Sequence, residues 1–483
     1  MGKANSIFCS VFLAMGGFLF GFDLGIITST IAQPHFLDHF GGSISDSESG
    51  GIVSAITGGA IVGAAAVYWL GDFLGRRWTI FTGSVISVFG CALQAGTTTI
   101  AMMIAGRFIA GIALGLLTST IPMYCAELSE KSVRGAMSGL LQWMLSWGFL
   151  CAQWIGYGCS FVNGDFQWRF PLAFQCIPGL ILAVGCLFLP ESPRWLCEKN
   201  RNEDGKAVLQ KLRSGLPQET IELEYREIVD VIAADRANLE INWKTIITRP
   251  SWRRRLLLGC GVQFFCQLSG INVINYYGPR IYEALGIGTQ TSLMIIGISG
   301  ALSIVYATIG LWLLERIGRI RPLIVSAIGM AACLATNAAL SQHFNPDNHN
   351  MLRAMVAMNF CVSLFFTMTG IISWVYPAEI FPVQIRAKGN AASTFINWSF
   401  NLVFAQVSPL ALSAVSFKYL YVFFCTNLIS AVCYFFFYPE TKGKTLEQMD
   451  EVFGDQIVPH ALEDPEGAEL AKARLSVVEL EKS

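Results

Sequence analysis

Apolar residues run for about twenty positions at a time along this chain, and polar or charged residues gather in the short breaks between the runs. The runs lie at 8–31, 51–70, 78–96, 100–124, 136–160, 170–189, 254–285, 291–314, 322–343, 351–376, 389–413 and 419–438. A bilayer core of about 30 Å is crossed by about 20 apolar helical residues. The pattern therefore predicts twelve transmembrane helices, six on each side of residues 190–252. Gly278-Pro279 and Pro377 are expected to break the seventh and tenth runs, because proline removes a helical donor.

Composition agrees with lipid as the solvent. Of 483 residues, 53% are hydrophobic and only 14% charged, with a mean hydropathy of +0.51. The first run is too long for a cleavable leader and lacks a small-residue cleavage site before Asp23, so it reads as the first span. Of the 33 Lys and Arg, only Arg169, Arg280, Arg353 and Lys418 fall in one set of loops and Arg107 within a span. The other 28 share the opposite face with both termini, which predicts cytoplasmic termini. The net charge of -1 averages a basic inner face against an acidic tail and gives no reason to expect nucleic acid.

Candidate chemistry is sparse. The 14 cysteines are scattered mostly through apolar runs without metal-ligand spacing and read as small packing residues. Five histidines show no catalytic grouping, so neither an enzyme nor a cofactor or metal is expected. The sequon Asn397-Trp398-Ser399 lies inside the eleventh run, beyond the reach of glycosylation.

Three motifs occur twice at offsets of about 250 residues. Gly71-Asp72-Phe73-Leu74-Gly75-Arg76-Arg77 returns as Leu314-Glu315-Arg316-Ile317-Gly318-Arg319. Tyr124-Cys125-Ala126-Glu127 with Arg134 returns as Tyr376-Pro377-Ala378-Glu379 with Arg386. Pro190-Glu191-Ser192-Pro193-Arg194 closes the first half, and Pro439-Glu440-Thr441-Lys442-Gly443 the second. Two parallel multi-span halves are a transporter arrangement. The expected organisation is a six-helix bundle over 1–189, a cytoplasmic linker with amphipathic helices over 190–252, a second bundle over 253–438 and a cytoplasmic tail over 439–483.

Together with Gly106-Arg107-Phe108 and Gln267-Leu268-Ser269-Gly270-Ile271-Asn272, these motifs resemble the signatures of the sugar porter family of the major facilitator superfamily, in order, from about residue 8 to 450. The texture is similar to that of fungal sugar transporters. The resemblance implies an all-α membrane protein of the major facilitator fold, with cytoplasmic helices between two six-helix halves. It also implies an inner-face ion-pair network that latches the bundles, formed here by Asp72, Arg76, Arg77, Glu127, Arg134 and Glu191 in the first half. Glu315, Arg319, Glu379, Arg386 and Glu440 are its members in the second half.

Asp23 stands in mid-span, where a bare charge costs about 2.5–3.5 kcal/mol or more. It needs a partner or a proton. Arg107 is the other deeply placed charge of that half, and the pair matches the residues to which the resemblance assigns proton coupling. A static buried ion pair is the alternative reading.

A neutral sugar calls for amides, hydroxyls and aromatic faces. Gln142, Gln267, Asn272, Tyr276, Tyr277, Trp374, Asn397 and Asn401 match family positions that contact or enclose sugar. Three departures leave the cargo's identity open: Cys266 replaces the first of two glutamines, Ser303 stands where the family has asparagine, and Thr369-Gly370-Ile371 lacks the usual proline. The reading is a proton symporter importing a neutral monosaccharide, hexose or pentose, across the plasma membrane as a monomer by alternating access. A facilitative uniporter, a polyol or quinate carrier, and a non-transporting sensor are the alternatives; a tail of about 40 residues past the last motif argues against the sensor.

Overall fold

The structure, a computed structural model, describes residues 9, 11–128, 134–215, 217–237, 242–342, 348–382, 385–442, 449 and 452–454. Of Asp72, Arg134, Gln142 and Glu315 it describes the backbone alone.

The described chain is built from helices. The first half comprises α1 (Met15–Ile31), the short α2 (Pro34–His39), α3 (Asp46–Phe73), α4 (Arg76–Ala95), α5 (Ile100–Leu128), α6 (Arg134–Cys159), α7 (Phe166–Phe174) and α8 (Cys176–Cys186). Helices α7 and α8 together make the sixth crossing. Four short helices follow: α9 (Pro193–Glu198), α10 (Asn202–Leu212), α11 (Gln218–Ala237) and α12 (Trp243–Thr248). The second half comprises α13 (Pro250–Gln267), α14 (Ile271–Ala284), α15 (Thr289–Ile317), α16 (Ile320–Gln342), α17 (His349–Ile380), α18 (Arg386–Val415) and, after a 3-10 turn at Ser416–Tyr419, α19 (Leu420–Phe437).

Ten described stretches are long and apolar enough to cross a membrane, and the last of them, Lys388–Phe437, is two crossings joined at the 3-10 turn. Helix α6, 26 residues packed along α1, is the twelfth. Small residues allow the close packing that lipid-embedded helices rely on. A Cβ at Gly59 would fall 2.1 Å from the Phe108 carbonyl, and one at Gly111 would fall 2.2 Å from that of Ile56, so α3 and α5 meet backbone to backbone.

The structure interrupts the seventh span twice and leaves the tenth continuous. The seventh span breaks at Gly270, whose φ of +88° separates α13 from α14. At the expected Gly278-Pro279 break α14 is kinked, with Tyr277 at non-helical angles (φ -117°, ψ 18°) between two helical pieces. By contrast α17 runs through Pro377, where a break was expected. The physical reason is that each proline removes one hydrogen bond, whereas a left-handed residue reverses the backbone itself. The carbonyl freed by each proline finds a side-chain partner.

The halves meet through α3 with α18, α6 with α15, and α14 with α1. At the end away from α9–α12, Arg280 Nη2 pairs with Asp46 Oδ1 at 2.6 Å and donates to Ser413 Oγ at 2.7 Å. Ser54 Oγ donates to Gln406 Oε1 at 2.8 Å nearby. No comparable packing joins α5 to α17 or α18 among the described residues. The Arg280 and Ser54 contacts close the bundle at the end away from α9–α12.

Candidate transport site and the duplicated end cluster

The duplicated motifs build the same structure twice. In the first half, Glu191 Oε1 accepts from the backbone N–H of Arg76, Arg77 and Ser192 at 3.0, 3.2 and 2.9 Å. Arg76 Nη2 pairs with Glu127 Oε1 at 3.2 Å, Ser192 Oγ donates to Glu127 Oε2, and Tyr124 OH donates to the Pro190 carbonyl. In the second half, Glu440 accepts from the N–H groups of Arg319, Ile320, Thr441 and Lys442. Arg319 Nη2 pairs with Glu379 Oε1 at 2.6 Å, Thr441 Oγ1 donates to Glu379 Oε2 at 2.5 Å, and Tyr376 OH donates to the Pro439 carbonyl at 3.1 Å. Gly75 and Gly318 are required in both copies. Each has a positive φ, and a Cβ would meet the carboxylate of Glu191 at 2.6 Å or of Glu440 at 2.7 Å.

These ion pairs run within each half. Glu198 joins the first cluster, 3.6 Å from Arg76 and 3.3 Å from Arg194. Arg386 Nε donates to the Phe381 carbonyl at 3.2 Å, and Arg77 Nη2 to that of Leu187 at 2.7 Å. The side chains of Asp72, Arg134 and Glu315 lie outside the described residues.

One further element repeats. Arg213 Nη1 donates to the Leu128 carbonyl and Arg255 Nη1 to the Ile380 carbonyl, both at 2.9 Å. Leu128 and Ile380 follow the paired glutamates Glu127 and Glu379. The first arginine comes from just beyond α10 and the second from α13, so equivalent helix ends are fastened by unrelated parts of the chain.

The two capping glutamates differ electrostatically. Burial pushes Glu191 above the ordinary glutamate value, against the pull of its backbone donors and Arg76, and its Oε2 is buried without a partner. Burial also raises Glu440, but the N–H groups of Ile320, Arg319, Lys442 and Thr441 together bring it below the ordinary 4.5. A depressed carboxylate contributes stability above its unfolded value and loses it as pH falls through the folded one. Glu440→Gln is therefore expected to lower the melting temperature at pH 7 more than Glu191→Gln does. That difference should shrink as pH is taken below about 4.5, which thermal unfolding of the two purified variants would measure.

Between the halves lies a chain of amides. Gln267 Oε1 accepts from Asn272 Nδ2 at 2.5 Å and from Asn401 Nδ2 at 3.1 Å. Asn401 Oδ1 in turn accepts from Tyr276 OH at 3.2 Å. The break at Gly270 is what turns Asn272, five residues on, back toward Gln267. One turn along α13, Gln263 Oε1 accepts from Asn397 Nδ2 at 2.5 Å. Gln263 was missed from sequence, although its position one helical turn before Gln267 puts both on one face. Trp374, 38% exposed, is not joined by these bonds, and the side chain of Gln142 lies outside the described residues.

The prolines supply the acceptors around this chain. A proline leaves the carbonyl four residues earlier without its helical donor. Pro279 frees that of Asn275, which accepts from Thr28 Oγ1 of the opposite half at 2.9 Å. Pro377 frees that of Ser373, which accepts from Gln263 Nε2 at 2.8 Å. Pro409 frees that of Ala405, which accepts from Tyr277 OH at 2.6 Å. Three helix defects are thereby turned into fixed points for groups of the site.

Asp23 on α1 and Arg107 on α5 are each 1% exposed. The guanidinium donates from Nε to the Ile52 carbonyl at 3.0 Å and from Nη1 to the backbone carbonyl of Asp23 at 3.4 Å, not to its carboxylate. Asp23 Oδ1 is buried without a hydrogen-bond partner.

Residues 9–453 match the family described as "Sugar (and other) transporter". The MFS-type transporter criB of Aspergillus cristatus is 38% identical over 95% of this chain and 96% of its own length. The high-affinity glucose transporter of Kluyveromyces lactis is 31% identical over 92% of this chain and 84% of its own. Among solved structures, the proton:xylose symporter XylE bound to 6-bromo-6-deoxy-D-glucose matches with a TM-score of 0.77 at 23% identity, covering 94% of this chain and all of that one, a likeness of fold. The twelve crossings, the duplicated motifs and the match over nearly the whole length identify the chain as a member of the sugar porter family of the major facilitator superfamily.

Proposed function

We propose that the protein is a proton-coupled symporter that imports a neutral monosaccharide, a hexose or pentose, across the plasma membrane by alternating access. The observation that carries the coupling is a buried carboxylate with an unpartnered oxygen beside a buried arginine seated on carbonyls. An ionised carboxylate without a partner in such a site costs several kcal/mol, so this arrangement suits Asp23 bearing a proton. On losing it, the carboxylate draws the guanidinium off the carbonyls. Arg107 also lies near Tyr276, whose hydroxyl belongs to the amide chain. One arginine thus stands close to both the proton-bearing carboxylate and the cargo groups.

For the cargo, the amides of Gln267, Asn272, Asn397 and Asn401 with the hydroxyls of Tyr276 and Tyr277 offer neutral donors and acceptors, as a polyhydroxy ring requires. Kinship with a glucose transporter supports a monosaccharide. The face that carries α9–α12 and most of the Lys and Arg is read as cytoplasmic. On that reading Arg280 and Asp46 close the outer end.

The test is uptake of labelled hexoses, pentoses, disaccharides, polyols and quinate in transporter-deficient cells at two external pH values, with and without a protonophore. Accumulation of a monosaccharide that the protonophore abolishes is the expected result. Equilibration without accumulation would make the protein a uniporter, and entry of polyol or quinate alone would overturn the cargo.

A further inference from the structure

A second set of buried polar groups lies around Asp23, on helices that take no part in the amide chain. Helix α4 carries Ser87, Cys91 and Gln94 at i, i+4 and i+7, all at most 1% exposed. This polar stripe faces inward in a membrane span, where such residues are costly and serve a purpose. Gln175, wholly buried at the junction of α7 and α8, accepts at Oε1 from Cys91 Sγ at 3.7 Å. In this orientation Nε2 is a buried donor without a partner.

The unpartnered donor and the unpartnered acceptor lie at one level of the interface between the first and sixth spans. Phe22 stacks on Phe174 at 5.4 Å between ring centroids, which sets their chain neighbours Asp23 and Gln175 at that level. Cys91 and Cys176 both lie in the electrostatic field of Asp23, and Cys91 also in that of Arg107. Nearby, Gln94 Oε1 is a second buried acceptor without a partner, its Nε2 donating to the Gly106 carbonyl beside Arg107. The groups facing Asp23 are therefore Arg107 from α5, Cys91 from α4 and Cys176 from α8. Tyr276 of α14 stands beyond Arg107, and α6 contributes Gln153, whose Nε2 donates to the Gly25 carbonyl at 3.0 Å. Buried donors and acceptors are nearly always satisfied, by protein or by an internal water.

We propose that Gln175 is a positioning residue for the proton step: its Nε2 donates, directly or through one water, to the ionised Asp23 carboxylate, apart from the cargo amides. The inference rests on the proton-coupled reading above. A hydrogen bond to the charged form favours that form. Gln175 thus helps Asp23 release its proton inward once the cargo has left.

The test is the external-pH profile of sugar uptake by Gln175→Met, a substitution of similar length without the amide. With the ionised form deprived of its donor, the external pH of half-maximal uptake should move upward by about one unit, while the KM for sugar at saturating proton stays within about twofold. Gln175→Glu, which sets a second carboxyl beside Asp23, should move the profile in the same direction. A profile that superimposes on that of the unaltered protein would overturn the proposal. So would lower uptake and yield with an unmoved midpoint, since that is what a purely structural glutamine gives. If uptake by the unaltered protein ignores both pH and protonophore, the coupling reading itself fails, and that control separates the two failures.

Discussion

Replacing Asp23 by Asn is expected to abolish accumulation of sugar above its external concentration while leaving exchange of labelled for unlabelled sugar in place. One symported proton contributes about 1.4 kcal/mol per pH unit and about 2.3 kcal/mol per 100 mV. At one pH unit and 100 mV the coupled protein could hold a sugar gradient of about 500-fold. The amide cannot carry the proton, so that driving force is lost, yet it fills the same volume and still accepts a hydrogen bond. Counterflow should therefore persist and lose its dependence on pH. A static buried pair gives a different outcome. If Asp23 serves only to hold α1 to α5, Asp23→Asn would reduce exchange and accumulation together and lower the melting temperature. Measuring both fluxes on one preparation distinguishes the two.

The sequence was most legible where a physical rule acts on every residue of a stretch. Lipid demands an unbroken apolar run for each crossing, so the helices could be counted before any contact was known. Duplication made the end clusters legible as well, because Glu127 and Glu379 recur with their arginines, serines or threonines and capping glutamates at matching offsets. What sequence could not show was where a defect would be absorbed. Pro279 comes with a kink and Pro377 with none, and in both places the carbonyl that the proline releases is taken by a distant side chain, Thr28 or Gln263. Those partners lie about 110 to 250 positions away in the chain, and no local pattern announces them. Gln263 escaped notice for the same reason, since its role depends on Ser373 and Asn397 on two other helices. The Asp23 region shows the opposite case. The charge was conspicuous, but Gln175 and Cys91 were not, since one glutamine or cysteine in an apolar run reads as ordinary packing until its neighbours are known.

Asymmetry between the halves completes this picture. The first half holds the groups assigned to the proton, Asp23, Arg107 and Gln175, on α1, α5 and the α7–α8 junction. The described cargo groups lie in the second half, on α13, α14 and α18. Contact between the two sets falls to α14, whose Asn275 carbonyl binds Thr28 of α1 and whose Tyr276 stands between Arg107 and Asn401. On the proposed reading the short helix that follows Gly270 lies between the proton and cargo groups, and a displacement of it would break both contacts at once.

Gln267→Leu is expected to raise the KM for sugar by about 10- to 100-fold with little change in the accumulation reached at saturating sugar. Gln267 Oε1 is the common acceptor for Asn272 and Asn401. Removing it leaves two amide donors without their partner between the halves, at about 1–3 kcal/mol for each buried donor left unpaired. It also frees Asn401, and with it the orientation of Tyr276. Cargo hydroxyls would then meet amides that no longer point in one direction, which weakens binding rather than the proton step. The discriminating measurement is the binding isotherm of the transported sugar to purified protein, alongside the pH profile of uptake. Weaker binding with an unmoved pH midpoint assigns Gln267 to the cargo. An unchanged affinity would remove it from the cargo site and leave the amide chain as a helix fastener between α13, α14 and α18, and a moved midpoint would place Gln267 with Asp23.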